Sequence, residues 1–256
     1  MICMPNIIPV SEPLFGKKEE NNLIECIRSG WISSEGPFVE EFEETCARYC
    51  QVKEGIAVSS GTTALQVALR ALSLNKGDEV IMPSFTIISC AIAIIEAGAT
   101  PVLVDCEPET WTMDVEQVYK KITPRTKAIM AVHIYGHSVD MDPLLILAKE
   151  HNLYVIEDAA EAHGAEYKGK KCGSLSDISI LSFYANKLVT TGEGGMVLTN
   201  NQEFAEKARL LRNMYFIPEK RFYHTEIGHN FRMTNLQAAV GVAQMARLDE
   251  FVERKR

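Results

Sequence analysis

The sequence has little that would suit a membrane or secreted protein. No run of about 18 uncharged apolar residues occurs, and residues 1–20 lack the basic and apolar blocks of a signal peptide. An apolar share of 46% and a charged share of 23% fit an ordinary folded protein with one large core. The composition therefore predicts a cytoplasmic protein that does not interact with membranes.

Disulfide and metal-site patterns are also absent. The seven cysteines include no CxxC pair, and none of the six histidines belongs to an HExxH motif. Cys46 and Cys50 have the i, i+4 spacing at which two thiols on a helix could share a metal. The surrounding EEFEETCARYC contains no histidine and has the pattern of an amphipathic helix, which favours simple packing of the thiols. We therefore expect reduced cysteines and no metal site.

Excess positive charge and nucleotide-binding loops are missing as well. The formal net charge of −8 disfavours binding to nucleic acid through its phosphate backbone, although a small anion could still bind locally. Neither GxGxxG nor GxxxxGK followed by Ser or Thr occurs, and these are the motifs of dinucleotide and nucleoside triphosphate sites. The sequence thus argues against both classes of nucleotide-binding enzyme.

What the sequence does contain is an alternation of strands and helices from about residue 56 onward. GIAVSS predicts a strand, and the helix after it repeats apolar side chains at Leu65, Leu69 and Leu72. This order predicts an α/β fold with a mainly parallel central sheet and helices on both faces. Residues 1–50 are predicted to be a helical segment that packs on this domain or on a partner, residues 51–235 the α/β domain itself, and MTNLQAAVGVAQMARLDEFVERKR one helix.

A candidate phosphate site lies where the first strand of this pattern passes into its helix. Ser60, Gly61 and Thr62 occupy that junction, where backbone amides and hydroxyls at a helix start can bind an anion. Small polar residues at such a position are also ordinary helix caps, so this feature is weak evidence by itself.

A carboxylate and an amine complete the three groups that would hold pyridoxal phosphate. Asp158 follows the apolar run LYVIE, which places it at the carboxyl end of a strand, where it could keep a pyridine nitrogen protonated. Its neighbour Glu157 faces the other side of the strand and is interpreted as a packing or salt-bridge residue. Lys187 lies between a strand and the glycine-rich hairpin TGEGG, and a lysine in a partly dry pocket can form an imine. A turn-capping carboxylate and a surface lysine are the simpler alternatives, but the combination favours a pyridoxal phosphate enzyme.

The chain resembles the DegT/StrS-type nucleotide-sugar aminotransferases, which are pyridoxal phosphate enzymes of fold type I. The resemblance is carried by SSGTTAL, GDEVIMPSFT, HIYGHSVDMD, IEDAAEAHGAEYKGKKCGS, SFYANKLVTTGEGGMV and GHNFRMTNLQAA. Within that family, GWISSEG, ETWTMD and EDAAEAHG are similar to segments of GDP-perosamine synthases. The resemblance implies transfer of an amino group from glutamate to the keto carbon of a nucleotide-linked 4-keto-6-deoxy sugar. The implied substrate is GDP-4-keto-6-deoxymannose and the implied pathway is the synthesis of O-antigen or another polysaccharide.

The same resemblance implies a role for each residue of the site. Lys187 and Asp158 are the catalytic pair, as the lysine bonded to the cofactor and the partner of its ring nitrogen. Cofactor contacts are assigned to Ser60, Gly61, Thr62, Phe85, Asp158, Glu161, Ser182, Lys187 and Asn230. Glu161 and Arg232 are expected near the sugar nucleotide, whereas His163 is interpreted as structural. Because Asn230 would reach the phosphate bound by a neighbouring subunit, a homodimer with shared active sites is expected.

Two features depart from the family pattern. Ile87 stands where relatives commonly carry an aromatic residue over the cofactor ring, so aliphatic contact or Phe85 is expected to replace it. Residues 236–256 would lead into a small C-terminal domain of the family, which is absent from this sequence. The alternatives that stay open are a noncatalytic cofactor-binding fragment, and a sugar 3-aminotransferase or dehydratase on the same scaffold. Lys187 favours transamination, because related dehydratases carry histidine at that position.

Overall fold

The computed structural model describes residues 11–256, so Cys3 and the first part of the predicted N-terminal segment lie outside the described residues. The helices are α1 Lys17–Ser29, α2 Pro37–Cys50, α3 Gly61–Ala71, α4 Ser89–Glu96, α5 Val115–Lys121, α6 Met141–Glu150, α7 Gln202–Arg212, α8 Asn235–Met245 and α9 Leu248–Lys255. The strands are β1 Glu54–Val58, β2 Glu79–Pro83, β3 Thr100–Val104, β4 Thr126–Val132, β5 Tyr154–Asp158, β6 Glu166–Tyr167, β7 Lys170–Lys171, β8 Ile178–Ser182 and β9 Gly195–Thr199.

Seven of these strands form one central sheet in the order β1-β9-β8-β5-β4-β2-β3. The strands β8, β5, β4, β2 and β3 pair in parallel, and β9 alone runs antiparallel to both of its neighbours. The predicted mainly parallel sheet is therefore confirmed. Because parallel neighbours end at the same edge, the residues that follow β2, β4, β5 and β8 are brought together there, as ligand sites of open α/β sheets require.

Alternate residues of each strand face two different cores. On β5, Ile156 packs into the cluster formed with α3, α4 and α7, whereas Val155 packs into the cluster formed with α5 and α6. On β8, Ile180 joins the first cluster and Leu181 joins a third one that includes α2, α8 and α9. This two-residue period buries both faces of the sheet and fixes which side chain each strand presents to either side.

The N-terminal helices pack on the α/β domain of the same chain. The side-chain amide of Asn22 on α1 donates to the carbonyl of Ala239 on α8 at 2.9 Å, and Phe42 of α2 is fully buried in the cluster shared with α8 and α9. The predicted end of α1 at Gly30 is confirmed, since this residue is the left-handed C-cap with a φ of 78°. Leu65 and Leu69 of α3 and its C-cap Leu72 are buried as the sequence pattern predicts.

Two local predictions differ from the structure. The last helix of the sequence pattern is divided into α8 and α9 at Ala246 and Arg247, a bend that places Met245, Leu248 and Phe251 in one cluster with α2. The short hairpin β6–β7 was not expected from the strand pattern; its turn holds Lys168 and Gly169 at left-handed φ angles of 49° and 79°. Within residues 11–256, no helix is both long and apolar enough to cross a membrane.

Candidate active site

The phosphate cradle is built where β1 turns into α3. Ser60 is the N-cap of α3, and its hydroxyl accepts a hydrogen bond from the Thr63 amide at 3.1 Å. The amides of Gly61 and Thr62 donate to no other group in the part of the chain that the structure describes. The hydroxyls of Thr62 and Ser89 lie 2.9 Å apart. The first turn of α3 therefore offers two free donors and a hydroxyl that suit an anion, and the assignment of the phosphate to this turn stays a prediction.

Close packing of small residues shapes the wall of this cradle. A β-carbon on Gly61 would lie 2.8 Å from the β-carbon of Ser182, and one on Gly195 would lie 2.3 Å from the carbonyl oxygen of Ser60. Gly195 pairs with Val58 on one side and with Ser182 on the other, so the ends of β1 and β8 meet beside the start of β9. The absence of side chains at the two glycines is what brings Ser182 to the start of α3.

Asp158 is buried at the carboxyl end of β5. Its Oδ1 accepts the Ala160 amide at 3.1 Å, and its Oδ2 accepts the thiol of Cys90 at 3.1 Å. Burial raises the pKa of Asp158. The Cys90 and Ala160 hydrogen bonds and the charges of His133 and Lys187 lower that pKa, but by less than burial raises it. A buried carboxylate is costly without a positive partner, which a protonated pyridine nitrogen would supply.

Glu157 faces the other side of β5 and is fully buried. Its carboxylate lies 2.9 Å from Nε2 of His133 and accepts the amides of Gly173 and Leu175, each at 2.7 Å. Although burial opposes ionisation, these bonds, the hydroxyl of Ser176 and the His133 interaction hold the pKa of Glu157 below its usual value. The sequence interpretation of Glu157 as a packing and salt-bridge residue agrees with this geometry.

Lys187 emerges from the connection between β8 and β9 and is half-buried. Its Nζ lies 3.0 Å from Oε1 of Glu161, whose other carboxylate oxygen accepts the backbone amide of Tyr135 at 2.8 Å. Its own backbone amide donates to the carbonyl of Tyr184 at 2.9 Å, which orders the turn that carries it. The structure thus brings Glu161 and Lys187 together, as the sequence assignment to one site requires.

His163 lies in the same region, stacked on Phe183 at a centroid distance of 5.6 Å. It is buried, and neither ring nitrogen makes a hydrogen bond within residues 11–256. Burial, followed by the charge of Lys187, lowers the pKa of His163 to about 4, and the Ser182 backbone opposes this without reaching hydrogen-bond geometry. The imidazole is therefore neutral near pH 7 and contributes through packing, in agreement with the structural role assigned to it.

Phe85 belongs to a group of three aromatic side chains rather than standing alone. Its ring meets Trp111 edge-on at 5.3 Å and Tyr135 edge-on at 6.2 Å. Both partners have left-handed backbones, with φ angles of 62° and 51°, a strained conformation that is often found at functional sites. Ile87 is 60% exposed. The group therefore offers an apolar wall next to the Tyr135 amide that Glu161 binds.

Asn230 and Arg232 lie beside the end of β1, away from Lys187 in sequence but close to the start of the cradle. Arg232 bridges to Val58, and the amide of Ser59 donates to the Phe231 carbonyl at 2.8 Å. The guanidinium of Arg232 donates to the side chain of Asn213 at 2.6 Å, whereas Asn230 is exposed. The assignment of these two residues to a neighbouring subunit's site stays a prediction.

A large open cleft, of about 1800 Å³, lies beside Lys187 and Glu161. Its walls include Lys187, Glu161, His163 and Tyr135. The volume exceeds the range of roughly 300–1,000 Å³ that is usual for small-molecule sites, so a substrate considerably larger than an amino acid has room to bind. Within residues 11–256, no cluster of three or more metal-ligating side chains is present.

The described groups fit pyridoxal phosphate. Unused amides at the start of α3 suit its phosphate, the space kept open by Gly61 suits close approach of that group, and the buried Asp158 lacks the cation that a ring nitrogen would provide. Lys187 follows β8, the parallel neighbour of β5, so its segment leaves the sheet at the same edge as Asp158. Sequence reasoning missed Cys90 and Ser89, because no motif marks them; the one local signal was their position in the first turn of the helix that follows β2.

Comparison with known proteins identifies the family of this chain. The model of the DegT/DnrJ/EryC1/StrS aminotransferase family matches residues 13–256. The chain is 52% identical over 243 residues to the GDP-perosamine synthase of Caulobacter vibrioides. This alignment covers 95% of this chain and 66% of the relative. It is 47% identical over 249 residues to that of Escherichia coli O157:H7, covering 97% of this chain and 68% of the relative.

Solved structures of aminotransferases have a similar fold. The PLP form of Spr1654 from Streptococcus pneumoniae has a TM-score of 0.89 and 30% identity, covering 95% of this chain and 67% of that one. The chain spans about two thirds of the length of the relatives it matches. The predicted fold type and the predicted family are both confirmed, and the chain belongs to the DegT/DnrJ/EryC1/StrS aminotransferase family.

Proposed function

We propose that this protein binds pyridoxal 5′-phosphate and transfers an amino group to a nucleotide-linked keto sugar. The observation that carries the proposal is the meeting, at one edge of the sheet, of free amides at Gly61 and Thr62, the buried Asp158 carboxylate and the Lys187 amine. Family membership and the PLP form of a structural neighbour support the choice of cofactor. When bound, this cofactor withdraws electrons from the carbon that carries the amino group.

The protein's own residues have distinct tasks in this proposal. Asp158 holds a proton on the ring nitrogen, because its carboxylate is buried and, among residues 11–256, contacts no cation directly. The Nζ of Lys187 binds the cofactor and then moves a proton to and from the substrate carbon. Ser60, Gly61, Thr62 and Ser182 hold the phosphate. Glu161 holds Nζ at 3.0 Å and so orients the amine within the cleft.

The proposed substrates are glutamate, as amino donor, and GDP-4-keto-6-deoxymannose, which would become GDP-perosamine. Two relatives at 52% and 47% identity are named GDP-perosamine synthase, which supports this choice. The cleft beside Lys187 is large enough for a nucleotide sugar, and its wall includes Glu161, a proposed contact to the sugar. Arg232, the other proposed contact, lines a separate cavity with Asn213 and Arg209. We further propose a cytoplasmic homodimer with shared active sites, whose product enters O-antigen or another polysaccharide.

Absorption spectroscopy tests the cofactor part of the proposal. The protein titrated with pyridoxal phosphate is expected to develop the visible band of lysine-bound cofactor. Reduction with borohydride followed by peptide mapping should then place the cofactor on Lys187. Lys187→Ala should abolish the band, whereas Lys76→Ala, which removes an exposed lysine, should leave it unchanged. A folded protein that gains no band in the presence of the cofactor would contradict the proposal.

Product analysis tests the substrate and the position of amination. Incubation with GDP-4-keto-6-deoxymannose and ¹⁵N-labelled glutamate should place the label on carbon 4 of the sugar. Label on carbon 3 would indicate a 3-aminotransferase, and loss of a hydroxyl without label would indicate a dehydratase. Bound cofactor with no turnover of either substrate would instead favour a cofactor-binding fragment without catalysis.

A further inference from the structure

Cys90 is a buried thiol in direct contact with the carboxylate of Asp158. It lies in the first turn of α4, is fully inaccessible to solvent, and donates to Oδ2 of Asp158 across 3.1 Å. The hydroxyl of Thr86, in the loop that follows β2, lies 3.3 Å from the same sulfur. The thiol therefore connects the loop after β2 to the end of β5.

The hydrogen bonds of Asp158 leave room for one more partner. Oδ1 accepts the Ala160 amide and Oδ2 accepts the Cys90 thiol, while a carboxylate has about four acceptor sites in total. The two bonds come from different elements, one from the turn after β5 and the other from α4, and together they restrict rotation of the carboxylate plane. Within residues 11–256 the carboxylate accepts no other hydrogen bond.

The first turn of α4 contacts both ends of the proposed cofactor site. Ser89 lies 2.9 Å from the hydroxyl of Thr62 in the phosphate cradle, and the adjacent Cys90 contacts Asp158. The first turn of α4 thereby connects the phosphate-binding residues to the Asp158 carboxylate. No motif in the sequence analysis assigns a role to either residue.

We propose that Cys90 is a positioning residue, whose thiol orients the Asp158 carboxylate toward the ring nitrogen of the cofactor. This rests on the proposed function, because the carboxylate has such a task only if the cofactor binds. The thiol touches neither the substrate nor the reacting carbon, so it acts through Asp158. A hydrogen bond to an ionised acceptor is stronger than one between neutral groups, which makes a weak donor such as a thiol effective here.

The electrostatic surroundings agree with this role. Burial raises the pKa of Cys90, and the Asp158 charge raises it further, so the sulfur keeps its proton and remains a donor. The charged groups that act on Asp158 are His133 at the end of β4 and Lys187 in the β8–β9 connection. Burial raises the pKa of Asp158 and the thiol hydrogen bond opposes this. Removal of the thiol should therefore raise the pKa of Asp158 further, so that the carboxylate is protonated at higher pH.

The test compares Cys90→Ala and Cys90→Ser with the wild-type protein and with Cys46→Ala, which removes an equally buried thiol on α2, outside the site. With the cofactor bound, Cys90→Ala should shift the acid limb of the pH titration of the cofactor spectrum to higher pH. It should also raise the Kd for pyridoxal phosphate about five- to tenfold. Cys90→Ser keeps a donor and should stay within about twofold of wild type, and Cys46→Ala should match wild type in both measurements.

Infrared spectroscopy gives a second readout that needs no cofactor and no destabilising variant. The S–H stretch in the wild-type minus Cys90→Ser difference spectrum should lie at the low frequency of a hydrogen-bonded thiol. It should shift when a fall in pH protonates Asp158. An S–H band at the frequency of a free thiol, or one that does not respond to pH, would overturn the proposal.

The outcomes separate this inference from the proposed function. If wild-type protein fails to bind pyridoxal phosphate, both fall. If wild type binds it and Cys90→Ala has the same pH titration and Kd as Cys46→Ala, the proposed function stands and the role of Cys90 is refuted. If Cys90→Ala fails to fold, the infrared band decides, and a free-thiol band or one that does not respond to pH refutes the role.

Discussion

The amine of Lys187 and the carboxylate of Glu161 form an ion pair, with Nζ 3.0 Å from Oε1. The other oxygen of Glu161 accepts the amide of Tyr135, whose backbone is in the left-handed region. Glu161 therefore restrains both the reactive amine and the turn after β4 that forms part of the cleft wall. These two effects can be separated by substitution. A glutamine at position 161 can still accept the Tyr135 amide, but it carries no charge to pair with the Lys187 amine.

Glu161→Ala is expected to slow the covalent attachment of pyridoxal phosphate by about tenfold to a hundredfold, since a hydrogen bond to a charged group contributes roughly 1.5–3 kcal/mol. Glu161→Gln keeps an acceptor for the Tyr135 amide and should lie between the alanine variant and wild type. Stopped-flow absorption after mixing cofactor-free protein with the cofactor measures the rate. An attachment rate in Glu161→Ala equal to that of wild type would show that the ion pair does not orient the lysine.

Gly195→Ala is expected to weaken cofactor binding through the phosphate. Its β-carbon would lie 2.3 Å from the Ser60 carbonyl oxygen and 3.0 Å from the Gly61 amide nitrogen, so the peptide that carries the anion-binding amide must move. The free energy of unfolding should fall by about 1–3 kcal/mol, as for other overpacked sites. Calorimetric titration should show a larger loss of affinity for pyridoxal phosphate than for pyridoxal, which has no phosphate.

Gly98→Ala serves as the control for Gly195→Ala. Gly98 has a φ of 85° with nothing within 4 Å of the added carbon, so this variant adds backbone strain away from the site. It should lower stability without changing cofactor affinity. Equal losses of affinity for pyridoxal and pyridoxal phosphate in Gly195→Ala would contradict the placement of the phosphate at Gly61.

His163→Phe is expected to remove part of the acid sensitivity of the cofactor-free protein. Burial lowers the pKa of His163 to about 4 from 6.5, so between these pH values the unfolded chain binds a proton that the folded chain does not. The free energy of unfolding of the wild type therefore falls as the pH is lowered from 6.5 to 4, by up to about 3 kcal/mol for this group. Phenylalanine keeps the stacking on Phe183 and has no proton to bind.

Urea unfolding at several pH values measures this difference. The gap between His163→Phe and wild type should widen in favour of the variant as the pH falls from 6.5 to 4. His137→Ala, which removes an exposed imidazole, should follow the wild-type curve. Parallel curves for His163→Phe and wild type would show that the imidazole is charged in the folded protein.

Subunit mixing tests the predicted shared site. Lys187→Ala and Asn230→Ala should each be inactive or nearly so. A mixed dimer would contain one site with both residues intact if Asn230 acts across the interface. Random exchange between the two variants should then restore about a quarter of wild-type activity. No recovery, in a mixture shown by mass spectrometry to contain mixed dimers, would place Lys187 and Asn230 of one site on the same chain.

The periodic parts of the fold could be predicted from the sequence because they are local. The leucines of α3 and the Gly30 cap depend on helical spacing and backbone freedom, and the structure agrees with both. The bend at Arg247 depends on where Leu248 and Phe251 meet α2, which is a long-range contact without a local signal. The β6–β7 hairpin is only two residues long on each strand, too short for a period to be visible.

The site was predictable to the extent that family resemblance and strand ends identify its residues. Asp158 and Lys187 could be named from their motifs; Asp158 ends β5, and Lys187 follows β8, the parallel neighbour of β5. The contact of Cys90 with Asp158 joins residues 68 positions apart and follows from sheet order rather than from a motif. The pairing of Glu161 with the Tyr135 amide likewise requires the left-handed turn after β4, which the residue types there do not predict.

The pairing of Asp158 with Ile180 determines how long a ligand the site can accommodate. Ser182 lies two residues beyond Ile180, so it is displaced from Asp158 by one interstrand spacing of about 4.8 Å and by two residue rises of about 3.3 Å each. These components separate the two α-carbons by roughly 8 Å, a distance determined by backbone hydrogen bonds rather than by side chains. A slip of β8 by one residue would alter this separation and turn Ser182 away from the cradle. Substitutions of surface residues on the surrounding helices should accordingly leave the spacing between the phosphate and ring-nitrogen contacts unchanged.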